Sequence, residues 1–239
     1  MGKKSLFSFR AVFCNIIIAC VLFFVFAITY AGDVMGVFAN NEPKAIYYGN
    51  KNENKVSLMF NVYWGTEYLD RILNILDANK VKTTFFVGGT WVSQNAEYLT
   101  KIYEKGHEIG NHGYLHKNHS SLTAERNKYE IFTTHELVKK LVNVEMNLFA
   151  PPSGDFNNLT LETASKLGYQ TIMWTHDTID WRDKSQELVF LRATKKIVGG
   201  DLILMHPTKH TMDALADIIS TLNTKKLTVT TVSNVIKLL

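Results

Sequence analysis

The chain has 239 residues, 46% of them hydrophobic and 20% charged, enough for one domain with a full core once a terminal segment is set aside. Its formal net charge is +4, but Lys3, Lys4 and Arg10 hold three of those positives, and removing them leaves +1 for residues 11–239. A basic face of the kind that binds nucleic acid is therefore excluded.

In chain order, the first element is apolar. The basic flank of residues 1–10 leads into AVFCNIIIACVLFFVFAITYA, the 21 residues 11–31. At 1.5 Å per residue this run spans about 30 Å, the thickness of a bilayer core. It reads as a transmembrane anchor or uncleaved signal, with small-residue cleavage sites ending at Ala31 and Ala39 as the secreted alternative. The positive flank keeps the N-terminus cytoplasmic and puts the rest of the chain on the extracytoplasmic side. Both cysteines, Cys14 and Cys20, lie in this run. The exported part therefore has no disulfide, thiolate metal site or cysteine nucleophile. Residues 32–55 are polar and rich in asparagine, and read as a tether with an edge segment.

From residue 56 short apolar runs alternate with amphipathic stretches. Strands are expected at 56–60, 83–87, 108–110, 148–149, 170–175, 202–205 and 227–229. Helices are expected at 66–79, 96–105, 121–143, 160–167, 186–196 and 212–222. The first of these carries Leu69, Ile72, Leu73 and Leu76 on one stripe. Gly106, Gly168 and the Gly199-Gly200 pair stand where helices should stop. Repeated βα units of this kind imply a mostly parallel sheet. Residues 56–239 are too few for a full eight-fold barrel, which takes about 250 residues. The fold expected is α/β, a distorted (β/α) barrel with fewer than eight full repeats.

The candidate chemistry sits at the ends of the strands. VSLMFNVYWGTE ends a strand with Asn61, Tyr63, Trp64 and Thr66, and offers no carboxylate before Glu67. GHEIGNHGYLH holds His112 and His116 four residues apart. On a helical turn both imidazoles would reach one divalent ion; alternatively they are two surface histidines. His107 is read as packing against the preceding helix end, and His119 as exposed. FAPPSGDFN gives a rigid turn through Pro151, Pro152 and Gly154. MWTHDTIDW sets Asp177 and Asp180 beside Trp174 and Trp181, as a sugar-binding wall or as a plain salt-bridge site. LILMH ends an apolar strand in His206, a candidate acid or base, or simply a strand cap.

In their order and spacing, these motifs resemble the polysaccharide deacetylases of carbohydrate esterase family 4, from about Val56 to Leu239. The Trp-Gly form of the first motif and the apolar N-terminus look most like the sporulation-associated branch of spore-forming bacteria. The resemblance implies removal of N-acetyl groups from a cell-wall glycan, peptidoglycan or a chitin-like polymer. It implies a divalent metal, usually zinc, held by an Asp and two His, with a second Asp as base and a distant His as acid. Carried over, His112 and His116 match the metal histidines, His206 the acid, and Asp180 (or Asp177) the carboxylate that tunes it. Trp181, Pro152 and Trp64 match the substrate wall.

Three positions depart from that pattern. Asn61 stands for the base, Thr66 for the metal Asp, and Ala150 for an Arg that would hold the base. If Gly65 is instead matched to the family's Asp-Asp-Gly, the two places fall on Tyr63 and Trp64, and neither is a carboxylate. The expectation is weak or absent metal and lost or reduced hydrolysis. The alternatives are a rearranged working site, with Glu67 as ligand or Asp155 or Asp177 as base, and an envelope protein without glycan affinity.

Overall fold

The structure is a computed structural model that describes residues 11–26 and 42–237. Residues 11–26 form a helix, α1, with exposed apolar side chains such as Phe13, Leu22 and Phe23. No helix among the described residues is long and apolar enough to cross a membrane. The expected span of residues 11–31 runs past α1 into 27–31, which lie outside the described residues.

Pro43–Leu239 is a separate compact unit. Its strands are β1 (Lys55–Val62), β2 (Thr84–Val87), β3 (Glu108–Asn111), β4 (Leu148–Phe149), β5 (Gln170–Thr171), β6 (His176–Asp177), β7 (Leu202–Met205) and β8 (Thr228–Val229). Between them run α2 (Leu69–Ala78), α3 (Gly89–Gln94), α4 (Ala96–Glu104), α5 (Ala124–Val142), α6 (Asn158–Lys166), α7 (Gln186–Thr194) and α8 (Lys209–Thr224), and α9 (Val232–Ile236) closes the described chain. Every strand pairing is parallel, in the order β5-β4-β3-β2-β1-β7-β6, with β8 beside the start of β1.

That order forces the sheet to curl. β5 and β6 are its two edges, yet only residues 172–175 join them. Five Cα steps reach at most about 17 Å. A flat sheet of seven strands would be about 29 Å wide. The edges must therefore bend toward each other, and the result is a curled, partly open barrel. Along the open side Ile46 bridges Ile172 and Tyr48 bridges Asp201. Residues 43–55, read from sequence as part of a tether, thus belong to the compact unit.

β1 is the axis of the sheet. Its seven residues after Lys55 are all buried, because helices cover one face and the barrel interior the other. The expected stripe of α2 is buried, with Leu69, Ile72, Leu73 and Leu76 all packed into the core. Hydroxyl and amide side chains cap the later helices: Thr123, Asn157, Ser185, Thr208 and Thr231 each accept a first-turn N–H.

One expected boundary fails for a physical reason. The strand at 170–175 ends at Thr171, because the chain must leave the sheet there to cross to β6. α3, which no expectation from the sequence covered, begins at Gly89.

His107 enters β3 from a buried position. Its Nδ1 accepts the Thr83 N–H at 3.3 Å, and its ring meets Phe85 edge-on. Burial, reinforced by Lys82, pushes its pKa down to about 4, against about 6.5 in an unfolded chain. The unfolded state therefore takes up a proton first as pH falls, and stability drops from pH 6.5 through pH 4. Urea unfolding at pH 7 and pH 4.5 is expected to differ by about 2–3 kcal/mol through this residue. His107→Gln, which keeps an acceptor for Thr83, should lose correspondingly less over the same window.

Candidate active site

The register places the strand ends on one rim. Val62 is level with Val87, Val87 with Asn111, and Phe60 with Met205. His112 is the residue after β3 and His206 the residue after β7, so both fall beside Asn61 and Tyr63. They line a cleft of about 390 Å³, with His116, Ser153, Trp174, Asp177, Trp181 and Leu204.

The two histidines meet through a loop rather than on a helical turn. His116 has φ +53°, and its ring centroid is 5.1 Å from that of His112. A buried carboxylate holds this loop: Glu130 Oε2 accepts the N–H groups of Tyr114 (2.9 Å) and Leu115 (2.6 Å), and Oε1 pairs with Arg126. Gly113 has φ +70°, and a Cβ there would press on His119 Nε2 at 3.1 Å. His119 is fully buried, not exposed as the sequence suggested, with Nδ1 2.6 Å from Asn127 Oδ1.

His112 Nδ1 donates to the Ala150 carbonyl at 2.7 Å, which leaves Nε2 as a lone-pair acceptor. That nitrogen is buried without a hydrogen-bond partner, as is Asn61 Oδ1. Burial, with the His116 imidazole beside it, pushes the His112 pKa well below its usual value, and burial takes His116 to about 4. Both rings are neutral at pH 7.

Tyr63 lies flat on His116, with centroids 3.5 Å apart and planes 20° apart, and Trp64 packs on His206 at 5.1 Å. Thr66 does not line the cleft. Its N–H donates to Glu67 Oε2 at 3.0 Å, so the exposed Glu67 curls back onto its own loop. Of the two registers, the structure therefore brings Tyr63, not Thr66, to the histidine pair.

His206 is tied to Asp180. Its Nδ1 is 2.8 Å from Oδ1, its backbone N–H donates to Oδ2 at 2.7 Å, and the Thr211 hydroxyl donates to Oδ2 at 2.5 Å. Burial alone would raise the Asp180 pKa, but the His206 and Thr211 donors outweigh it and hold the carboxyl below its ordinary value. Asp177 behaves oppositely. It faces the cleft, accepts only the Ile179 N–H, and burial pushes its pKa up.

The remaining candidates separate cleanly. Trp181, 54% exposed, forms a lip of the cleft. Pro152 is buried behind Gly113, and its neighbour Ser153 (φ +57°) faces the cleft instead. Asp155 spends both oxygens on the Ser120 N–H and hydroxyl. The anchors Glu130 and Thr211 carry no local sequence signal, since each acts on a residue at a distance in the chain.

The donor set does not fit a catalytic zinc. His112 Nε2 is free as a ligand nitrogen would be, but no carboxylate accompanies the pair and the Tyr63 ring covers His116. Among the described residues no group of three or more His, Cys, Asp and Glu could hold a metal ion, and catalytic zinc takes three protein ligands.

The family model for polysaccharide deacetylase matches residues 48–172. An uncharacterized protein of Bacillus subtilis (strain 168), YlxY, is 40% identical over 184 residues, covering 77% of this chain. The match spans only 58% of that relative's length. The peptidoglycan-N-acetylmuramic acid deacetylase PdaA of the same organism is 30% identical, covering 74% of this chain and 70% of PdaA. Among solved structures, a CE4-family pseudoenzyme from Bacillus anthracis has a TM-score of 0.79 and 37% identity, covering 81% of this chain and 69% of its own. A mutant of that protein, described as having restored enzymatic activity, has the same TM-score at 36% identity, covering 81% of this chain and 71% of its own. The curled parallel α/β fold is shared with these structures.

Asp180→Asn would turn an amide N–H₂ toward groups that are themselves donors. It is expected to cost about 2–4 kcal/mol in urea unfolding. Asp177→Asn, which disturbs one backbone donor, is expected to cost under about 1 kcal/mol.

Proposed function

The chain belongs to the polysaccharide deacetylase family, and from that premise we propose that it binds cell-wall glycan while its amide hydrolysis is lost or much reduced. One observation carries the proposal. At the strand end where the family resemblance puts the base, Asn61 stands, and Tyr63 rather than a carboxylate lies against the histidine pair. An amide oxygen orients a water but does not take its proton at neutral pH. Loss of a general base costs about 10²–10⁴ in rate, roughly 3–5 kcal/mol of barrier. The likeness to a structure described as a CE4-family pseudoenzyme supports the same reading.

The cleft that remains is built for sugar. Tyr63, Trp174 and Trp181 offer ring faces, and Asp177, Ser153 and His206 offer polar edges. PdaA and other relatives are named as peptidoglycan deacetylases, which makes peptidoglycan the favoured ligand. The apolar run at 11–31 would hold the domain at the outer face of the membrane, and a role in sporulation is proposed from the motif resemblance to the sporulation-associated branch of the family.

A working site with substituted groups has less to draw on. Glu67 is bound to its own loop and Asp155 to Ser120. Asp177 alone of those substitutes faces the cleft.

Acetate release from peptidoglycan and from chitooligosaccharides tests the proposal. The chain is expected to run at least ~10²-fold below a family member that keeps its base carboxylate; turnover at such a member's rate overturns it. Asn61→Asp combined with Tyr63→Asp is expected to bring zinc binding and measurable acetate release, whereas Asn61→Asp with Thr66→Asp is not. For the location, the chain is expected in the membrane fraction, with its domain cut by protease added outside the cell. Recovery in the cytosol overturns that part.

A further inference from the structure

The buried, unpartnered polar atoms of the cleft call for hydrogen-bond donors. Its two buried atoms without a hydrogen-bond partner, Asn61 Oδ1 and His112 Nε2, are both acceptors. Asp180 is consumed by His206 and Thr211. Asp177 lines the same cleft with a carboxylate in no ion pair, Arg192 acting on it only from longer range, and no Lys or Arg lines the cleft. At its buried depth the cleft thus offers lone pairs, flanked by the Asp177 carboxylate and the ring faces of Trp174 and Trp181, while the hydroxyls of Ser153 and Tyr63 line it as well.

An acetamido group answers this poorly. It has one N–H and adds a carbonyl oxygen, a further acceptor. A protonated primary amine answers it well, with three donors and a positive charge that both a carboxylate and aromatic faces attract. We propose that the cleft selects a de-N-acetylated amino sugar, holding its ammonium group among Asp177, Asn61 and His112. The inference rests on the glycan-binding reading above and sharpens its ligand. Amide hydrolysis by an active deacetylase must then supply the ligand, so this chain would read a product that it no longer makes.

The test titrates the full chain with glucosamine tetrasaccharide and with N-acetylglucosamine tetrasaccharide. Tryptophan fluorescence or calorimetry reads binding, with EDTA present and at mildly acidic pH where the sugar amine is charged. The amine form is expected to bind about tenfold more tightly or better, the gain of a charge-assisted hydrogen bond. Asp177→Asn is expected to bring the two sugars to near-equal affinity, and Trp181→Ala to weaken both alike. Equal affinities in the unmodified chain, tighter binding of the acetylated sugar, or a preference that survives Asp177→Asn overturns the inference and leaves glycan binding standing. Binding of neither sugar overturns glycan binding itself, and this inference with it.

Discussion

The parallel pairing of β1 with β2 on one side and β7 on the other is the constraint on which the rest depends. Because all the pairings run one way, every strand delivers its C-terminal end to the same rim. The four-residue link from β5 to β6 then curls the sheet until both edges face the rim from opposite sides. Asn61, His112 and His206 come from segments far apart in sequence, yet they share a cleft because Val62, Val87, Asn111 and Met205 lie in adjoining register. A one-residue slip of β1 would turn Asn61 away and Val62 inward, and the buried faces of both would be wrong.

Around that rim the changes are mutually consistent. Ala150 is buried, its carbonyl accepting from His112 and its N–H donating to the Asn111 carbonyl. An Arg at that position, if the base that the resemblance pairs with it is absent, would be a buried charge without a partner, which costs several kcal/mol. Losing both members of such a pair avoids that cost. The acid side of the cleft has instead kept its full set of hydrogen bonds. Asp180 accepts from His206 and Thr211, and removing the carboxylate would leave several buried donors unpaired. The two halves of the site are thus under different physical pressures, one free to drift as a unit and the other fixed by stability.

Much of this was legible in the sequence where the signal is periodic or local. The unbroken apolar run of β1, the stripe of α2 and the order of the motifs all follow from residue pattern. What the pattern could not fix was the register of a bulging strand end. Tyr63 and Thr66 are both polar neighbours of a Trp-Gly turn, and only the Thr66–Glu67 hydrogen bond and the Tyr63–His116 stack separate their roles. The spacing of His112 and His116 suggested a helical turn, because four residues is a helical interval. A left-handed residue and a glycine achieve the same meeting in a loop. His119 looked exposed because it lies among polar residues, while its burial depends on Asn127, contributed by a later helix.

The walls of the cleft and the groups that face into it are held by different atoms. Glu130 fixes the histidine loop by binding backbone N–H groups, and Asp180 fixes His206 in the same way through its backbone N–H. Neither contact depends on a metal, a base or a substrate. A loop held through its backbone retains its course whatever the side chains at its tip do, so the proposed loss of a carboxylate at residue 61 is compatible with intact walls. On the proposed reading the Asp177 carboxylate and the buried acceptors favour a positively charged group in the cleft, and a glycan's charge is set by whether its acetyl groups have been removed. Loss of hydrolysis and a new preference among glycans would then be consequences of the same few substitutions, acting within an unaltered frame.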